Sequence, residues 1–147
     1  MKILVPVDGS APALAAVRHA LALVAQGLRA DFVLANVQEP PSLYEVAVTH
    51  DAEALQRLRA AAGADALAAA EALLDAAGIE YESEVAGGEP ANVLVELLEN
   101  YGCEAVVMGA RGMGDPDAGG LGSVAQGLLA HSPVPVTVVR EVAADAG

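Results

Sequence analysis

The segment from Cys103 to Val124, CEAVVMGARGMGDPDAGGLGSV, carries the residues whose types and spacing best suit ligand chemistry. The short, mostly apolar run Glu104 to Met108 reads as a strand covered on both faces, and Gly109 ends it. Glycines then stand at Gly109, Gly112 and Gly122, and Ser123 opens a helical segment, Val124 to Ala130. Glycine lets backbone N–H groups come close to a ligand, while a helix start offers unpaired donors and a positive dipole end. A strand, a glycine loop and a Ser-led helix therefore suit phosphate oxygens. The same residues, with Gly114, Gly119 and Gly120, equally suit a surface loop that holds nothing.

Other chemistries find little support. The chain has no Gly-x-x-x-x-Gly-Lys-Ser/Thr phosphate loop, and its lone Lys2 is far from the glycines. Gly112, Met113 and Gly114 give half of a dinucleotide fingerprint without its third glycine. His19, His50 and His131 have no partners at metal-ligand spacing, and Ser123 has no triad arrangement or nucleophile elbow around it. Arg111 suits either a phosphate or a solvated loop, and Glu71, Asp75, Glu80, Glu82 and Glu84 read as solvated faces.

Alternating strands and helices must position the glycine loop. Ile3 to Val7 reads as a strand ending in Asp8, Gly9 and Ser10, with Ser10 able to cap a helix that runs to about Gln26. Phe32 to Val37 is the second strand, followed by a connector opened by Pro40 and Pro41. Asp51 to Ala77 reads as one long helix, or two broken at Gly63. Ile79 to Val85, the helix from Pro90 to Tyr101, and a final strand from Val134 to Arg140 complete the pattern. Such alternation predicts an α/β fold with a parallel sheet and helices on both faces. In open sheets of that kind, ligands bind beyond the strand ends where the strand order reverses. If the first and fourth strands are neighbours, Asp8 meets the glycine loop there; its other reading is a turn or helix-capping carboxylate.

The totals bound the partners. At 147 residues, 54% of them hydrophobic, the chain suits one domain spanning residues 1–147. A net charge of −13 disfavours nucleic-acid backbones and anionic membranes, so any phosphate must be held by backbone amides, an Arg or a metal ion. Cys103 is the single cysteine and suits buried packing. With no signal-peptide pattern in MKILVPVDGS and no uninterrupted apolar stretch of about 18 residues, the expectation is a cytoplasmic protein without membrane insertion.

From ILVPVDGS through Gly88 to Pro90, VVMGARG, LGSVAQGLL and HSPVPVTVVR, the chain resembles the universal stress protein family nearly end to end, and its glycine spacing resembles the ATP-binding branch. The resemblance implies an adenine nucleotide alpha hydrolase-like fold: a five-stranded parallel sheet in the order 3-2-1-4-5. It implies that Pro6, Val7 and Asp8 line an adenosine site, with Val37 hydrogen-bonding to or packing on adenine. Met108, Gly109 and Gly112, then Gly122, Ser123 and Val124, would wrap ribose and phosphates. It also implies a homodimer through the last strand, where Val136, Thr137, Val138 and Val139 would otherwise form an exposed apolar edge.

The loop departs from the family pattern, because Asp115 and Asp117 stand where many relatives carry basic or bulky apolar residues. Two carboxylates repel a triphosphate unless a divalent ion intervenes, so ATP with Mg²⁺ is the expected cofactor. The expected function is a stress-response sensor or regulator with an unidentified regulatory protein partner. No residue offers itself as a catalytic base, so any ATPase activity would be slow. The alternatives are a dimeric interaction protein of the same fold without nucleotide, and a slow hydrolase using a metal held by Asp115 or Asp117.

Overall fold

The structure, a computed structural model, describes residues 1–39, 47–48, 51–111 and 121–141. In chain order its elements are β1 (Lys2–Pro6), α1 (Ala11–Ala25), β2 (Asp31–Gln38), α2 (Ala52–Ala76), β3 (Tyr81–Gly87), α3 (Pro90–Tyr101), β4 (Ala105–Gly109), α4 (Ser123–His131) and β5 (Val136–Val139). The strands form one five-stranded sheet in the order β3-β2-β1-β4-β5, and every pairing is parallel. The predicted strand order and its reversal between β1 and β4 are therefore observed.

A parallel sheet buries both faces, and β2 shows how its sequence serves that need. Phe32 and Leu34 point into a cluster with Val17 of α1 and Leu67 and Leu74 of α2. Val33 and Ala35 point the other way, toward Leu94 and Leu98 of α3 and Leu128 of α4. Burying each such Leu or Phe side chain stabilises the fold by about 1.5–3 kcal/mol. Cys103 belongs to the second cluster, and burial pushes its thiol pKa up, in keeping with a packing role.

α2 runs unbroken through Gly63, which is buried. A Cβ there would stand 2.5 Å from Val85 Cγ1 and 2.9 Å from Asn36 Oδ1, so the glycine permits close approach of helix and sheet and does not break the helix. β3 starts at Tyr81, two residues later than the apolar pattern suggests. The Ile79 N–H is used to close α2, donating to the Leu74 carbonyl at 3.0 Å across Gly78, whose φ of +69° is the left-handed turn that ends many helices.

Several acidic residues near β3 are engaged and not simply solvated. Glu71 accepts from the Ser83 hydroxyl and Asp75 from the Tyr81 hydroxyl. Glu84 accepts from the Tyr101 hydroxyl at 2.6 Å, tying the end of α3 to the edge strand. That hydrogen bond, with burial and the carboxylate charge, pushes the Tyr101 pKa up to about 12.

Ala at position 63 would gain about 1 kcal/mol in helix propensity, but overpacking against a stiff Val typically costs about 1–3 kcal/mol. Gly63→Ala is thus expected to lower stability in denaturant unfolding; a gain would refute the packing account. Because the folded pKa of Tyr101 exceeds its ordinary 10.0, the contribution of its bond is complete below pH 10 and lost as pH rises through about 12. Tyrosinate absorbance should show this late step in the native protein and lose it in Tyr101→Phe; superimposable curves would count against the bond.

Candidate functional site

The C-terminal ends of β1 and β4 lie side by side, since Ile3 pairs with Ala105 and Leu4 with Val106. After Pro6 the chain turns through Asp8 and Gly9 into α1. Asp8 Oδ1 accepts from the Ser10 N–H at 3.0 Å and from the Ser10 hydroxyl at 2.5 Å. Ser10 Oγ in turn accepts from the Ala13 N–H at 3.3 Å and caps α1. Asp8 thus makes the contacts of a turn carboxylate, which hold it in one orientation, and it is only partly buried at the mouth of the strand ends.

Across the crevice Gly109 is buried because the first turn of α1 lies on it; a Cβ would stand 2.8 Å from the Pro12 carbonyl carbon. Ala110 donates its N–H to the Val139 carbonyl and accepts from the Gly122 N–H, each at 2.8 Å. The second bond brings the start of α4 back to the end of β4. Gly122 is the residue preceding α4, with φ −69° and ψ 165°, and gives it no side-chain cap. The start of α4 thus presents backbone donors on the same edge of the sheet as Asp8.

The sequence-derived residues take different positions on this edge. Pro6, Asp8, Arg111, Gly122 and Val124 are partly buried, and Ser123 is exposed. Val7 and Met108 are buried in the two core clusters, and Val37 packs partly buried against the second. Gly112, Gly114, Gly119, Gly120, Asp115, Asp117 and His50 lie outside the described residues.

Asn36 was missed by sequence reasoning. It is 2% exposed, its Nδ2 donates to the Val7 carbonyl at 2.8 Å, and its Oδ1 accepts from Gln38 Nε2 at 2.6 Å. The available signal was a polar residue continuing the inward series Phe32, Leu34. A cavity of about 460 Å³ also opens beyond the ends of β2 and β3, against the first half of α2. Gln38, Leu55, Arg59 and Val85 help line it, and Arg59 Nη1 donates to the Glu39 carbonyl there; among the described residues, none of the sequence-derived site residues lines it.

A parallel sheet whose order reverses between β1 and β4 is a doubly wound α/β fold, the class in which ligands bind beyond the strand ends at the reversal. The model of the Universal stress protein family matches residues 1–140, and the chain belongs to that family. It is 29% identical over 140 residues to Universal stress protein MJ0531 of Methanocaldococcus jannaschii, covering 95% of this chain and 82% of the relative. The universal stress protein UspA from Lactobacillus plantarum superposes with a TM-score of 0.81 at 25% identity, over 95% of this chain and 97% of that one. A universal stress protein solved in complex with cAMP superposes with a TM-score of 0.68 at 26% identity, over 95% of this chain and 96% of that one.

Ser10→Ala removes both the cap of α1 and the hydroxyl that orients Asp8. A loss of about 0.5–2 kcal/mol is expected in chemical denaturation. Unchanged stability would mean that the Asp8 turn is held by other contacts.

Proposed function

We propose that the chain binds an adenine nucleotide across the ends of β1 and β4 and serves as a cytoplasmic, homodimeric regulator in the stress response. The observation that carries this reading is the convergence of the oriented Asp8 turn with the uncapped start of α4, tethered to β4 through Gly122 and Ala110. The cAMP complex of a relative supports an adenine ligand. In this reading Pro6, Val7, Asp8 and Val37 contact adenosine. Met108, Gly109, Arg111, Gly112, Gly122, Ser123 and Val124 hold ribose and phosphates, largely through backbone amides.

ATP is the proposed ligand, and the donor set fits an anion: the first amides of α4 follow Gly122, which has no side chain to cap them. Mg²⁺ would arrive on the phosphates and screen them from Asp115 and Asp117. The homodimer would use β5, an edge strand on which the backbone groups of Val136 and Val138 face away from β4. Among the described residues no helix is long and apolar enough to cross a membrane.

Calorimetry of nucleotide-stripped protein with ATP and magnesium tests the reading. Saturable binding near one ATP per chain is expected, weakened about tenfold, or about 1.4 kcal/mol, by Asp8→Ala and weakened again by chelator. Absence of heat at two temperatures would leave a dimeric interaction protein without nucleotide, the alternative favoured by the acidic loop. Rapid turnover of labelled ATP would instead make the chain a hydrolase.

A further inference from the structure

The hydrogen bonds along β2 fix the direction of each backbone amide. The Asp31 N–H donates to the Met1 carbonyl at 3.0 Å and the Ala35 carbonyl accepts from the Val7 N–H at 2.8 Å, so odd-numbered residues of β2 face β1. The Phe32 N–H donates to Glu80 at 3.2 Å and the Gln38 carbonyl accepts from the Gly88 N–H at 3.0 Å, so even-numbered residues face β3. The series that begins with Asp31 on Met1 would place its last rung between the Val37 N–H and the Val7 carbonyl.

That rung is replaced. Asn36 Nδ2 donates to the Val7 carbonyl at 2.8 Å. The amide is held in this orientation by Gln38, which donates to its Oδ1, and by α2, which passes so close that only a glycine fits at position 63. An Asn at a position 2% exposed, in line with Phe32 and Leu34, forgoes the apolar burial that the same face makes elsewhere. What it secures is a Val37 N–H and carbonyl aimed past the end of β1, beside the Asp8 turn.

We propose that Asn36 is a positioning residue for the nucleotide base: it ends the β1–β2 ladder one rung early and keeps the Val37 backbone edge available to a purine. The inference rests on the nucleotide reading above. One N–H donor and one carbonyl acceptor on the same residue complement adenine, whose N1 accepts and whose N6 amino group donates. Hypoxanthine presents the reverse pair, so the Val37 edge favours ATP over ITP.

Asn36→Val and the isosteric Asn36→Asp both remove the donor. Amide hydrogen exchange by NMR, without ligand, should find the Val37 amide poorly protected in the native protein and at least about tenfold more protected in Asn36→Val, where the Val7 carbonyl becomes free to take it. Calorimetry should find native protein preferring ATP to ITP by about tenfold or more, and both variants within about threefold, with thermal unfolding confirming that they are folded. Equal Val37 protection in native and Asn36→Val protein would overturn the ladder device. An ATP preference unchanged in both folded variants would overturn the role in base recognition. Native protein that binds neither nucleotide would remove the nucleotide reading and that role with it, while the exchange contrast would still decide the ladder device separately.

Discussion

The first turn of α1 rests on the last residue of β4, with Pro12 so close to Gly109 that no side chain fits between them. Much of the upper edge of the sheet follows from that contact. α1 leaves β1 through the Asp8 turn and packs on β4 as well as on β1, so the ends of the two strands are drawn to one crevice. The strand order reverses at the same place, which is where a parallel sheet leaves room between helices on opposite faces. The closeness of Pro12 and Gly109 thus links a packing requirement to the location of the candidate site.

Polarity inside the molecule is concentrated at that edge. Among the described residues the buried polar side chains are Ser10 and Asn36, and both serve the segment from Val7 to Ser10. Elsewhere the core is Ala, Val, Leu and Ile with Phe32, Cys103 and Met108, packed as two layers on either side of the sheet. Apolar burial supplies the stability, while two hydrogen-bonded side chains set the course of the chain after β1. An interior polar group is tolerated only when it is satisfied, and each of these is.

The two edges of the sheet differ in chemistry. β3 carries Glu82 and Glu84 and is bound to neighbouring helices through Tyr81, Ser83 and Tyr101, so its edge is charged and occupied by side-chain contacts. β5 reads VTVV and carries no charge. In a chain of net charge −13, an uncharged edge is the exception, and the contrast gives the sheet one guarded side and one suited to pairing.

Alternating apolar runs, glycine stops and Ser10 as a cap were enough to specify from sequence the order of elements and the covered parallel sheet, because those signals are local and repeat with the period of each element. The resemblance of the motifs to a known family supplied the strand order. The sequence alone could not say whether Gly63 broke a helix or let it approach, since that depended on Val85 and Asn36 from distant strands. Nor could it show that Glu84 meets Tyr101, or that Asn36 takes the carbonyl of a residue 29 positions away. Periodicity along one element carries no information about which atom of another element lies opposite it. Only the register of β1 on β2 and the seating of α2 and α3 decided those contacts.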